Sequence, residues 1–367
     1  MSTLKVTSIQ NPSTSSGGVS IDTSGHVTVD GVQLPSSGPL SGARNRIING
    51  DMRIDQRNAG ASVSVTNAAA YYAVDRFRMS GTASSGVFTG QQVADAPASF
   101  VNSLKITVTT ADASLAAADE YHVSQSIEGF NTSDLSFGTA DAKPVTLSFW
   151  VKSSITGYYG GSLSNSALNR TYPFTYSISS ANTWELKTVT VLGDTSGTWL
   201  QTNVTGIRVF FGLGLGSNFS GPAGAWASAP YISATGSTNL LATNGATFYI
   251  TGVQLEAGSV ATPFERRSYG QELYLCQRYY QKNGVAAVGW LRAAKSRESD
   301  RQRMCQPQFP CQMRTTPTVV ITDADTDGSP NSFSASLISP FGFYASILAS
   351  TDTQIPGIQI YTASAEL

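Results

Sequence analysis

Apolar and polar residues alternate in steps of two along most of this chain, which predicts strands rather than helices. In residues 145–151, Val145, Leu147, Phe149 and Val151 alternate with Thr146, Ser148 and Trp150, so one face is expected to be buried. Strand-like runs recur at 46–54, 104–109, 184–191, 206–211 and 247–255. Stretches rich in Gly, Ser and Asn, such as 212–220 and 233–245, lie between them. Helix signals are nearly absent over 44–267. Many strands with turn-rich connections predict an all-β central domain there, a β-sandwich or jelly roll.

The pattern changes on either side of that block. In residues 1–43, Val19 and Ile21 alternate with polar residues, Ser24-Gly25 supplies a turn, and Val27 and Val29 resume the alternation before Asp30-Gly31. This is a hairpin signature in an extended N-terminal arm. Large apolar residues are few, and a lone two-stranded hairpin is marginal in water. The arm is therefore expected to dock on a partner, either copies of itself or another protein. Pro35-Ser36-Ser37-Gly38-Pro39 marks a linker. Residues 268–283 break the pattern: Gln271 to Lys282 is free of Gly and Pro, with Leu273, Cys276 and Tyr280 at helical spacing, and Asn283-Gly284 closes the run. A short bridging helix is expected, its Tyr279-Tyr280 pair packing on the sandwich. Residues 284–367 return to strands at 317–322, 341–348 and 358–362, enough for a small C-terminal β-sandwich that is marginal alone but feasible when docked or oligomeric.

Composition sharpens this reading. Charged residues are 13% of the chain, against about 25% in ordinary soluble domains, and the 34 glycines suit tight turns. The formal net charge of −1 gives no long-range pull toward nucleic acid or anionic membrane. The one basic stretch, 292–303, mixes its cations with Glu298 and Asp300 and is expected to be a solvated loop or helix face. Cys276, Cys305 and Cys311 match no common zinc spacing and read as small buried hydrophobes in a reducing compartment. No apolar run is long enough to span a bilayer, so no membrane insertion is expected. The first residues lack the layout of a secretory signal, so synthesis in a cytoplasm without secretion is expected and four Asn-x-Ser/Thr sequons carry no glycosylation inference.

Catalytic signatures are sparse. His26 and His122 neighbour no nucleophile elbow and no metal-binding pair. Hydrolysis of a glycoside needs two carboxyl groups across a cleft, for which Asp119, Glu120, Glu128 and Asp134 are the candidates, although they read as ordinary loop charges. The run 212–216 lacks the Lys-Ser/Thr of a phosphate loop and reads as a strand end where backbones approach closely. Recognition is the remaining chemistry. Aromatics set in polar loops can stack on the apolar faces of sugar rings, and Tyr158, Tyr159, Trp226 and Tyr231 are the glycan-binding candidates, with Trp199 and Phe219 nearby in sequence.

Several long motifs resemble one family. Residues 4–11 (Leu4-Lys5-Val6-Thr7-Ser8-Ile9-Gln10-Asn11) and 19–29 are similar to the amino-terminal segment of bacteriophage tail-fibre proteins, especially those of phages of marine bacteria and cyanobacteria. Residues 45–57, Asp75-Arg76-Phe77, residues 248–256, 261–265 and Cys276-Gln277-Arg278-Tyr279-Tyr280 resemble the central domain of those fibres and its continuation. The central domain is also similar in layout to jelly-roll carbohydrate-binding modules. The resemblance implies a homotrimeric structural protein of the virion tail, made in the host cytoplasm and not an enzyme. In it, residues 1–43 attach through Leu4, Val6, Ile9, Val19, Ile21, Val27 and Val29 to a tail or other virion protein. Residues 44–267 and a distal tip, 284–367, would meet a host-surface polysaccharide or protein. No cofactor is implied, save a structural calcium for which Asp51 and Glu256 would be donors. Head fibre or capsid decoration protein is the alternative, and polysaccharide depolymerase the second.

Overall fold

The computed structural model describes residues 44–66, 70–81, 86–283, 302–322, 332–348 and 360–367, with residues 8–9, 19–21, 27–29, 32–33, 291–292, 294–295 and 357–358 as short strands. In the arm, β1 (Ser8–Ile9), β2 (Val19–Ile21), β3 (Val27–Val29) and β4 (Val32–Gln33) form one antiparallel sheet in chain order. The expected hairpin is its centre, with Val19 opposite Val29 and Ile21 opposite Val27. Leu4, Val6, His26, Ser24-Gly25 and the linker at 35–39 lie outside the described residues.

The chain then builds β5 (Val63–Val65), β6 (Tyr71–Val74), β7 (Phe77–Gly81), β8 (Val87–Val93), β9 (Ser103–Thr110) and β10 (Glu120–Glu128). It continues through β11 (Val145–Ser153), β12 (Gly157–Ser164), β13 (Thr171–Ile178), β14 (Glu185–Val191) and β15 (Thr205–Leu215). The short β16 (Ser220–Gly221) and β17 (Ser233–Ala234) precede the long β18 (Thr247–Ala257). The first sheet runs β13-β12-β15-β10-β7-β6 and the second β14-β11-β18-β9-β8-β5. Every pairing within the two is antiparallel, and after β9 the chain passes repeatedly from one sheet to the other, as a jelly roll requires. The period of two explains the core. Tyr121, Val123 and Phe211 from the first sheet meet Phe149, Ile250 and Leu255 from the second, with the Phe149 and Phe211 rings 5.0 Å apart and edge to face.

Two strand expectations need correcting. Residues 46–54 form no strand. Asn49 turns the chain at φ 59°, and its side-chain amide exchanges two hydrogen bonds of 2.9 Å with the backbone of Ile54. Asn45 likewise receives Ile47 N and Leu255 N and donates to Val253 O. Side-chain amides thus take the place of a ladder, and the apolar residues divide between two cores: Ile47 and Met52 enter the sandwich, Ile48 and Ile54 meet the helix. On β11 the face expected to be open is also covered. Thr146 is fully buried and donates to Gly258 O at 2.8 Å, because the chain after β18 folds back across it. The close approach expected at 212–216 is present: a Cβ on Gly216 would lie 2.1 Å from Ala116 O.

The bridging helix α1 (Tyr269–Gln277) starts at Ser268, whose hydroxyl accepts from Gln271 N, and ends sooner than its apolar spacing predicts. Tyr280 belongs instead to β19 (Tyr280–Lys282). The C-terminal region adds β20 (Leu291–Arg292), β21 (Ala294–Lys295), β22 (Gln302–Cys305), β23 (Thr318–Thr322), β24 (Ser332–Ser339), β25 (Gly342–Leu348), β26 (Gly357–Ile358) and β27 (Ile360–Ser364). Sheets β19-β27-β23 and β21-β22-β25-β24 share a small core of Phe309, Met313, Phe343 and Tyr361. Arg292, Lys295 and Arg303 therefore sit in strands rather than in the loop or helix expected of them.

A polar junction ties this lobe to the sandwich. Glu128, at the end of β10 and 1% exposed, accepts from Arg278 Nε and Nη2 at 2.7 and 2.8 Å and from the Tyr279 hydroxyl at 2.5 Å. Arg57 bridges Asp75 and Glu366 at 2.9 Å each, Arg76 also pairs with Glu366, and Arg76 lies over the Tyr279 ring at 3.4 Å. Tyr279 thus packs on the sandwich as expected.

Candidate functional site

The outer face of the second sheet carries a groove of about 520 Å³. Register sets its floor. Trp150 on β11 stands opposite Leu186 on β14 and Thr251 on β18, so these three share the outward face. The Trp150 ring is half-buried and Leu186 is 55% exposed. Between Ser148 and Trp150 the pairing with β18 slips by a bulge at Gly252-Val253. Gly252 takes φ 61°, and a Cβ there would stand 2.8 Å from the Phe100 ring and 3.0 Å from that of Trp150. Glycine is required at this point both for the turn and for the approach of the two rings.

Residues 261–266 form the opposite wall. They are held by Glu256, which accepts from Thr262 N at 2.9 Å and Thr262 Oγ1 at 2.6 Å, and by Gln254, whose Oε1 accepts from Glu265 N at 2.8 Å. Phe264 is thereby placed edge-on to Phe100 at 5.2 Å, and the exposed Arg266 guanidinium lies 4.6 Å from the centre of the Phe100 ring. On the same sheet face the next row is polar and aromatic together. Lys152, opposite Tyr249, stands 4.3 Å from its ring centre and 5.2 Å from that of Trp184. Asp95 accepts from Lys152 Nζ at 2.5 Å and from Trp184 Nε1 at 3.2 Å. The Lys152 hydrogen bond in particular holds the Asp95 carboxyl below its ordinary value. An aromatic trough with a polar cluster on the neighbouring row can stack on a flat, partly apolar ring and hydrogen-bond its rim.

The residues singled out in the sequence go elsewhere. Tyr158 is 68% exposed on β12 of the first sheet. Tyr159 is corrected: adjacent strand residues face opposite ways, and Tyr159 is fully buried, its hydroxyl bonded to Ser153 Oγ and Ile155 O at 2.9 Å. Such a ring is core and is closed to ligands. Trp226 is half-buried against Phe137, Trp199 and Tyr172, and its Nε1 donates to Leu192 O at 2.8 Å. Tyr231 packs over Gly221, where a Cβ would lie 2.2 Å from its ring. Among the described residues no ring contact joins Tyr158, Trp226 and Tyr231. The sequence reading passed over Phe100, Leu186 and Phe264. The available signal was Trp150, a large aromatic at the outward position of an otherwise Thr/Ser strand face.

The carboxylates are also accounted for. Glu120 and Glu128 lie in β10 rather than in loops, Glu128 is held by Arg278 and Tyr279, and Asp134 pairs with Arg46 at 2.7 Å. Glu256 lies 3.4 Å from Arg44 and Asp51 pairs with Arg53, so each carboxylate expected for calcium faces a guanidinium. Among the described residues no group of three or more His, Cys, Asp or Glu side chains could hold a metal ion.

No family model matches this sequence, and no curated protein matches it either. Among solved structures it is similar to the enzymatically active domain of tailspike protein 4 from bacteriophage CBA120, at 13% identity and a TM-score of 0.31 over 58% of this chain and 21% of that one. A sugar-binding protein from Bacteroides thetaiotaomicron gives 12% identity and a TM-score of 0.34, over 58% of this chain and all (100%) of that one. The family 11 carbohydrate-binding module of Clostridium thermocellum gives 9% identity and a TM-score of 0.29, over 55% and 97% of the two chains.

Proposed function

We propose that this chain is a structural subunit of a phage tail fibre that recognises a host-surface saccharide through the groove on its second sheet. The observation that carries the saccharide reading is the groove itself: Phe100, Trp150 and Phe264 around an open trough, with Lys152, Trp184 and Asp95 hydrogen-bonded together beside the next row of the same sheet. Sugar rings present apolar C–H faces to such rings and hydroxyls to such donors, and stacking needs no net charge, in keeping with a chain of net charge −1. The attachment reading is supported by the fibre-like motifs at 4–11 and 19–29 and by the short-stranded arm that contains them. In this proposal the arm joins the virion tail, the subunit is a homotrimer, and the sandwich works by binding.

The test is an array of saccharides from bacterial envelopes probed with the full chain. Binding should fall about tenfold or more in Trp150→Ala, from the loss of ring contact and buried area. Binding that survives Trp150→Ala and disappears in Trp226→Ala would place recognition elsewhere, and failure to bind any envelope saccharide would end the proposal.

A further inference from the structure

The outer face of the first sheet carries groups that neither the core nor the groove uses. Register aligns Tyr72, Arg78, Ser124, Phe210, Ser162 and Pro173 in one row across six strands. One neighbouring row contains Ser80 and His122, and the other contains Arg208 and Ser164. Arg78 and Arg208 are both partly exposed. Arg208 donates from Nε to Ser126 Oγ at 3.0 Å and lies 5.6 Å from the centre of the Phe210 ring. His122 stands edge-on to the same ring at 5.1 Å.

Charge on this face is unbalanced. Burial depresses the Arg208 pKa, and the Arg78 guanidinium depresses it further, with Glu120 as the opposing carboxylate. Burial and the same two arginines push His122 down to about 3, so it adds no charge at neutral pH. On the same face, the hydroxyls of Ser80, Ser162 and Ser164 are fully buried and have no hydrogen-bond partner among the described residues, so the two guanidiniums are the cationic groups that a ligand can reach. Like charges on one face are costly, and an oxyanion bound between them would relieve that cost.

We propose that this face binds the carboxylate or sulfate group of an acidic saccharide, with the partly exposed Arg78 and Arg208 as its charge partners. Only the saccharide part rests on the function proposed above. Calorimetric titration of the full chain at fixed ionic strength, with inorganic sulfate, glucuronate and glucose as probes, tests it. Sulfate and glucuronate should bind, and glucose should bind about tenfold more weakly or not at all. Arg78→Gln and Arg208→Gln should each cost about tenfold for the two anions, the effect of losing one charge-assisted hydrogen bond. Circular dichroism melts identify a variant that fails to fold, in which case the other arginine decides. Equal binding of glucose and glucuronate, or wild-type anion affinity in the folded arginine variants, overturns the proposal. Sulfate binding without glucuronate binding overturns its saccharide part alone. Anion binding that persists when no envelope saccharide binds the groove separates this site from the groove reading.

Discussion

The two outer faces of the sandwich share one core and one strand chemistry, yet they are dressed in opposite ways. On the second sheet, Trp150 and Leu186 look outward into an open trough, so large apolar side chains lie where water reaches them. On the first, His122, Ser124, Ser126 and Glu128 occupy the outward positions of β10 and are all nearly or fully buried. Hydropathy alone would have predicted the reverse. An exposed aromatic stripe costs free energy in the isolated protein, and a buried carboxylate does so unless it is paired, so each arrangement needs a reason outside its own strand. For Glu128 the reason is the C-terminal lobe, which supplies Arg278 and Tyr279. For Trp150 and its neighbours the reason proposed is a ligand.

The strongest way to break this contrast is at Glu128. Glu128→Ala leaves Arg278 and the Tyr279 hydroxyl facing a gap and should destabilise the protein by about 3–5 kcal/mol in urea titrations, with Glu128→Gln milder because its amide oxygen still accepts. Saccharide binding by the folded fraction should be unchanged, since the groove belongs to the other sheet.

Acidity separates the faces next. His122 has its pKa lowered to about 3, first by burial and then by Arg78 and Arg208. The unfolded chain takes up a proton near the ordinary histidine pKa of 6.5 while the folded one does not, so stability present above pH 6.5 is lost as pH falls toward 3. Asp75 acts oppositely. Burial raises it to about 6 from 3.8 against the pull of Arg57, so its ionisation costs stability as pH rises through 6. At pH 5 the His122 contribution alone is about 2 kcal/mol, so denaturant titrations at pH 7 and pH 5 should show His122→Gln less acid-sensitive than wild type by about that amount. An unchanged pH dependence would mean that His122 is not held neutral.

A smaller effect is expected at Gly252. Gly252→Ala forces a side chain into the left-handed region and against Phe100 and Trp150, which should cost about 1–2 kcal/mol in denaturant titrations. It should also weaken saccharide binding, whereas alanine at the half-buried Gly60, where nothing lies within 4 Å of an added Cβ, should leave binding unaltered.

Much of the fold was legible in the chain, and much of the site was not. Period-two alternation located β9, β11, β14, β15 and β18 because burial of one strand face is a local property. The same rule, applied more strictly, would have separated Tyr158 from Tyr159. Residues 46–54 misled because the asparagines that replace the ladder bond to groups as distant in sequence as Val253 and Leu255. Glu128 read as a loop charge because its partner Arg278 lies 150 residues away. The groove is assembled from residues near 100, 150, 186, 252 and 264, brought together by strand order, and no spacing along the chain records that.

The most direct measurement labels the indole N–H groups and follows each by NMR while an envelope oligosaccharide is added. The signals of Trp150 and Trp184 should shift together and saturate at one affinity, with Trp199 and Trp226 still. Shifts confined to Trp199 and Trp226, or saturable binding with no change at Trp150, would contradict a saccharide site on the second sheet.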